Sequence, residues 1–427
     1  MTGEGTARLG KRFARLWAAS TTSALGSGLA TIAAPLLVAS RTSDPLVVSA
    51  AAGVSWLPWL LFALPGGVLV DRVDRRRLMI VIDWVRVAAL LVLSVAILTG
   101  TSGIPLLYTV LFVVNTGEVI FRSAGQAMIP AVVPRAGLDR ANGWLTGGVT
   151  LMQNMIAGPL GGFLFVVAAS IPFFVNAATY AASAILIGLV TGAYRAERRP
   201  PDAADGAGAP PRRSVRHELA EGFRWLLRQR LLRTMVILIG LLNLTLVAAT
   251  AVLVLLAKER LGLDSVGYGL LFTALAGGGV LGSLAGDRII RLVSATWTLR
   301  IGLVVEAGTH LALAASRDAW LVGVVLFLFG VHGSLWSIVG SSLRQRLTPP
   351  DMLGRVSSTS LFIVAGGNCA GALLGGLVAA KFGLTTPYWA GFVVAAIVTA
   401  ATWHVFDRAT VEQAYAEPAE VSPPVAR

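Results

Sequence analysis

Twelve stretches of mostly apolar residues, each about 20 residues long and set apart by short polar breaks, constrain this chain more than any other feature. A hydrocarbon core about 30 Å thick takes about 20 residues of helix to cross. The stretches fall at 16–39, 47–70, 78–99, 104–123, 143–167 and 171–192, then at 232–257, 266–289, 297–315, 319–341, 355–380 and 385–406. No strand-length alternation of apolar and polar residues appears, which argues against a membrane barrel. The expected class is therefore an all-α integral membrane protein with twelve transmembrane helices.

Composition agrees. Charged residues make up 13% of the chain, against about 25% in soluble domains. The net charge of +13 would suggest nucleic acid in a soluble protein. Here the basic residues form short clusters between apolar stretches, so they report membrane orientation and no nucleic-acid partner is expected. Arg72, Arg75, Arg76 and Arg77, Arg135 and Arg140, Arg288 and Arg291, and Arg344 and Arg346 lie in one set of loops. The N-terminal segment and residues 193–231 belong to the same side. The opposite loops hold only Arg41, Lys258, Arg260, Arg317 and Lys381. Positive loops remain cytoplasmic, so both termini are expected there, in a multi-pass protein of the cell membrane. The first apolar stretch is long enough to span and reads as a retained helix rather than a signal peptide. Cys369 is the single cysteine, so no internal disulfide forms.

The two halves of the chain echo each other. Asp71-Arg72 with Arg75 recurs as Asp287-Arg288 with Arg291, 216 positions on (287 − 71). Gln126 and Pro130 recur as Gln345 and Pro349, and Leu138-Asp139-Arg140 as Leu353-Gly354-Arg355. Asn154 ahead of Gly158 to Gly162 is matched by Asn368 ahead of Gly371 to Gly376. The order predicts two pseudo-symmetric six-helix halves at 16–193 and 231–407. A cytoplasmic N-terminus (1–15), a linker (194–230) and a tail (408–427) complete the expected organisation. The linker is rich in Pro, Gly, Ala and charge. Residues 216–230 read as an amphipathic helix on the inner membrane surface, or as an extension of the seventh span. Carriers with paired halves place substrate near the membrane midplane and rock one half against the other.

These motifs carry a family resemblance. The stretch from Gly67 through Asp71 and Arg72 to Arg75 and Arg76 resembles the signature loop of the major facilitator superfamily, between spans two and three. Leu16-Trp17 with Ser23 to Gly26, Arg75 to Met79, Glu221 to Leu226, and Leu353 to Val356 resemble one branch of it, that of enterobactin exporters and macrolide efflux proteins. Ser27 stands where many members carry an acid, and Gly158-Pro159 resembles the antiporter motif with its glycine pair one residue early. The resemblance implies proton- or cation-driven efflux of hydrophobic small molecules, with Gly67, Asp71, Arg72, Arg75 and Arg76 as a gating loop.

Charges inside spans are costly and need a partner, a wet cavity or a function. Asp83 and Arg86, three apart in span three, can neutralise each other as a structural pair or take part in proton coupling. Glu118 and Arg122, four apart in span four, either take part in proton transfer or lock a gate. Glu306 in span nine has no arginine or lysine within four residues, and His310 lies one turn on. An acid without a fixed cation beside it is free to bind and release a proton, unless another span supplies a partner. Asn115, Asn154, Asn176, Asn243 and Asn368, with His332, either line a polar cavity or stitch helices together. Trp56, Trp59 and Trp336 either stack a flat ligand or pack. No H-E-x-x-H, serine elbow, CxxC or phosphate-binding loop is present, so neither an enzyme nor an ATP-driven pump is expected, and no cofactor or metal. The expectation is a monomeric secondary transporter for a small hydrophobic molecule and protons, with an importer or uniporter as the alternative.

Overall fold

The computed structural model describes residues 9–134, 137–192, 194, 223–349, 352–407 and 411, and at positions 63, 64, 67, 68, 71, 139, 353–355 and 358 the backbone alone. Each apolar stretch becomes a helix, because in hydrocarbon every backbone amide must be satisfied within its own segment. In order these are α1 (Gly10–Ala39), α2 (Pro45–Arg72), α3 (Arg75–Leu98) and α4 (Ile104–Val132). Then come α5 (Leu138–Thr150), a π-helical turn (Leu151–Ile156), α6 (Ala157–Val167) and α7 (Ile171–Gly188). After the linker follow α8 (Arg230–Thr250), a second π-helical stretch (Leu256–Arg260), α9 (Ser265–Val293) and α10 (Ala295–Ala315). The series ends with α11 (Ala319–Leu347), α12 (Leu353–Phe382) and α13 (Thr386–Thr402). Among the described residues, eleven helices are long and apolar enough to cross a bilayer, α5 to α6 counting as one. The twelfth expected span appears as α13, apolar but only 17 residues long. No strand occurs among the described residues.

The chain resolves into two compact units. The first comprises Met1–Pro210 and Ala251–Thr273, the second Pro211–Thr250 and Ala274–Arg427. In the first, α1 packs along α7 and along the α5–α6 span, α2 along α4, and α3 between α4 and α7. Close approach is written into α1. A side chain at Gly28 would run into the Gln153 carbonyl of the π-helical turn, and one at Gly26 into Asn176 and Thr179 of α7. The turn into α3 is capped by Asp74, whose carboxylate accepts from the Arg77 amide at 2.9 Å and the Tyr194 amide at 3.0 Å. Burial works against its ionisation, yet those two amides and the neighbouring Arg77 and Arg76 charges hold its carboxyl below the ordinary value of 3.8. Arg76 donates to the Ile187 and Gly188 carbonyls at the end of α7, and Arg75 to the Ala127 carbonyl of α4. Arg76 thereby meets the negative end of α7.

In the second unit, α8 lies along α12, and α10 packs on α11 and α13. The α12 glycines Gly371 and Gly375 sit against the backbone of Leu244 and Ala248. Gly278 and Gly282 of α9 do the same against Phe327 and Val331 of α11. One residue, Ser294, joins α9 to α10; it takes a φ of 74° and its side chain accepts from the Trp297 amide. Of the amphipathic segment expected at 216–230, residues 223–228 are helical. Leu226 is buried against Val236, Met352 and Val356, whereas Phe223 and Leu227 stay exposed. Its remainder before residue 223, residues 195–222 of the linker, residues 1–8 and the tail apart from Val411 lie outside the described residues.

Candidate functional site

Each unit holds one buried cluster of polar and charged side chains. In the first, α3 supplies Asp83 and Arg86 on one face, three residues apart, and α4 supplies Glu118. Arg86 is fully buried. Its Nη1 pairs with Asp83 Oδ1 at 3.2 Å, and its Nη2 donates to Glu118 Oε2. The guanidinium lies 3.9 Å from the centre of the Tyr180 ring, a cation–π contact from α7. It reaches α4 because Gly117 leaves the space: a Cβ there would come within 2.8 Å of the Arg86 side chain. Ser27 of α1 donates to Glu118 Oε2 at 2.8 Å and lies 3.0 Å from the Tyr180 hydroxyl. Glu118 Oε1 takes Arg122 at 3.3 Å. Two acids and two guanidiniums thus balance, as a buried charge requires.

In the second unit Glu306 is 4% exposed. His310 Nδ1 is 3.9 Å from its Oε1 along α10, and His332 Nε2, from α11, is 3.6 Å from its Oε2. Glycines seat both imidazoles. A Cβ at Gly302 would lie 2.5 Å from the His332 ring, and one at Gly391 of α13 would strike His310. His332 also meets Phe329 and Trp336 edge to face, with centroids 5.7 and 6.0 Å away. No Lys or Arg among the described residues pairs with Glu306. The nearest cation on α10 in sequence, Arg300, donates to the Trp403 carbonyl at 3.0 Å and stacks on the Trp403 ring. Glu306 Oε1 and His310 Nε2 are buried without a hydrogen-bond partner.

The residues singled out from the sequence therefore fall into separate groups. Asp83, Arg86, Glu118 and Arg122, which the sequence offers as two pairs, form one network through the Arg86–Glu118 contact. Glu306, His310, His332 and Trp336 form the other, so Glu306 is not isolated: α11 supplies its second partner. Asn154 lines a cavity of about 320 Å³ in the first unit, together with Glu118, Arg122 and Gln153. Asn115 and Asn243 instead donate to the Leu111 and Ile239 carbonyls of their own helices, each at 2.8 Å. Asn368 is buried, with Oδ1 unpartnered. Of the expected gating loop, Arg75 binds the Ala127 carbonyl within α4, Arg76 holds the end of α7, Arg72 is exposed, and the surroundings of Gly67 and Asp71 lie outside the described residues. Tyr180, Gln153 and the three seating glycines carry no signal in a single sequence, since each acts on a residue distant along the chain. Among the described residues no three His, Cys, Asp or Glu side chains stand close enough to hold a metal ion.

A model of the transmembrane secretion effector family matches residues 8–426, nearly the whole chain. The chain belongs to that family. As a transmembrane secretion effector it is a transporter of the major facilitator type, and its curated relatives agree. It is 23% identical over 380 residues to macrolide efflux protein A of Streptococcus pyogenes, covering 87% of this chain and 90% of the relative. To the enterobactin exporter EntS of Escherichia coli it is 24% identical over 390 residues, covering 89% and 88%. Among solved structures, a variant of the nucleoside transporter NupG superposes with a TM-score of 0.73 at 11% identity, covering 94% of this chain and 100% of that one. A bacterial homologue of the iron transporter ferroportin, inward-facing, gives 0.69 at 16% identity, covering 92% and 98%. These likenesses of structure establish the fold alone.

Proposed function

We propose that this transmembrane secretion effector is a proton-driven exporter of small hydrophobic molecules, working by alternating access in the cell membrane with both termini cytoplasmic. The observation that carries the reading is the contrast between the two buried clusters. Asp83 and Glu118 are matched by the guanidiniums of Arg86 and Arg122. Glu306 has only imidazoles for company. A buried carboxylate must be neutralised by a fixed cation or by a proton. Arginine stays charged at every accessible pH, whereas carboxyl and imidazole groups gain and lose protons. The Glu306 cluster is thus where proton uptake and release can drive a conformational cycle. Export as the direction is supported by the macrolide efflux protein and the enterobactin exporter among its relatives. The loop of Gly67, Asp71 and Arg72 is read as the gate.

The test is transport in proteoliposomes under an imposed proton gradient. Glu306→Gln, which resembles the protonated acid and cannot titrate, should abolish gradient-driven transport while substrate still binds. Glu118→Gln is the comparison. If Glu306→Gln transports normally and Glu118→Gln does not, coupling belongs to the first unit; if both transport normally, the coupled reading fails.

A further inference from the structure

The cavity of the first unit has a chemical preference that its charges reveal. Its carboxylate is used up. Glu118 Oε2 accepts from Arg86 and Ser27, and Oε1 faces Arg122. An amine entering the cavity would find no open acid. The cation is in the opposite condition. The Arg122 side chain is 41% exposed and lines the cavity. Its Nη2 alone is engaged, with Glu118 Oε1 at 3.3 Å and Gln153 Oε1 at 3.1 Å. Its Nε and Nη1 donors have no partner among the described residues. The Trp59 ring, 5.4 Å from the guanidinium carbon, covers part of its surface. Arg122 can therefore accept an anion at its free donors while keeping Glu118, so no buried carboxylate is stranded.

The lining beside it is built for polar recognition. Gln153 and Asn154 lie in the π-helical turn Leu151–Ile156, a local widening that recurs at functional sites. Together with Thr146 and Thr150 they line the same cavity. At about 320 Å³ the space falls within the range of small-molecule sites, about 300–1,000 Å³.

We propose that this cavity selects cargo bearing an anionic oxygen (a carboxylate, enolate or phenolate), anchored by Arg122, and disfavours cationic cargo of the same size. The inference rests on the exporter reading above and names the chemical class that the exporter takes.

Binding of two probes matched in shape and opposite in charge, 2-naphthoate and 2-naphthylmethylammonium, tests it by equilibrium dialysis with the full chain in nanodiscs. The wild type should bind the carboxylate at least tenfold tighter. Arg122→Gln should reverse the preference, because it removes the free donors and leaves Glu118 Oε1 open to a cation. Arg122→Lys, which keeps the charge, should keep the preference. A wild type that prefers the ammonium probe, or binds neither, overturns the proposal whether or not the variants fold. So does an Arg122→Gln protein that binds naphthoate within twofold of wild type. No gradient is present in this measurement, so its failure leaves proton coupling standing, and failure of coupling leaves the preference standing.

Discussion

At the scale of single residues, the polar clusters depend on what is missing as much as on what is present. Gly117 has no side chain, and Arg86 crosses from α3 to α4 through that gap. Gly117→Ala places a methyl group against the Arg86 stem in a packed interior, an overpacking that costs about 1–3 kcal/mol. The expected outcome is a lower midpoint of thermal unfolding, together with impaired transport although no charged residue has changed. Unfolding and transport unaltered in the variant would show that Arg86 has room to move. The pairings along one helix, Asp83 with Arg86 and Glu118 with Arg122, were legible because residues three and four apart share a face. The link between the pairs was not, nor was the approach of His332 to Glu306. Both depend on how neighbouring helices are rotated, and helices apolar on nearly every side carry no periodicity that fixes rotation. Ser27, where the family resemblance leads one to expect an acid, shows the same limit: α4 brings the acid Glu118 to it from 91 positions away.

At the scale of elements, the turn between α2 and α3 is a capped helix start whose Arg76 closes the end of α7 and whose Arg75 ties the turn to α4. Removing the cap with Asp74→Ala should lower stability by about 1 kcal/mol at neutral pH. The pH dependence follows from the direction of the shift. The folded carboxyl ionises below its ordinary value of 3.8, so its stabilisation is full above that value and is lost as the pH falls through the lower folded value. The difference in unfolding midpoint between wild type and variant should therefore be constant from pH 7 to about pH 5 and shrink in more acidic solution. A difference that grows on acidification would contradict the assignment. The D-R-x-x-R motif marked this turn in the sequence. It did not disclose that Arg75 and Arg76 turn toward carbonyls of α4 and α7, because a charged loop next to a span reads equally well as an orientation signal.

At the scale of the whole molecule, the number and order of the spans were legible because the bilayer sets the length of each apolar segment. Some helix ends lie further out than the apolar stretches, as in α4, which continues to Val132 where the apolar stretch fades at 123, whereas α7 and α13 stop earlier, at Gly188 and Thr402. Ser123 and Gln126, which a hydropathy reading takes as an end, are accommodated in the helix: Ser123 donates to the Val119 carbonyl at 2.9 Å and Gln126 lines the polar cavity. Orientation can be tested directly. In a Cys369→Ala background, cysteines introduced at Ser43 and Ser265 should react with an impermeant reagent from outside, and those at Ser214 and Ser422 only after the membrane is opened. Exchange between these groups would overturn the proposed topology.

The balance of charge around Arg122 has an electrical consequence. With Asp83, Arg86 and Glu118 it sums to zero, so the resting cluster carries no net charge for the membrane voltage to act on. An anion seated on Arg122 changes that. Under the proposed export coupled to the entry of one proton, its departure and the proton's entry move charge in the same sense, two elementary charges in each turnover. At about 2.3 kcal/mol per charge for each 100 mV, an inside-negative potential of 100 mV contributes about 4.6 kcal/mol to expulsion, before any difference in pH is counted. A cationic cargo exchanged for one proton would gain nothing from the same voltage.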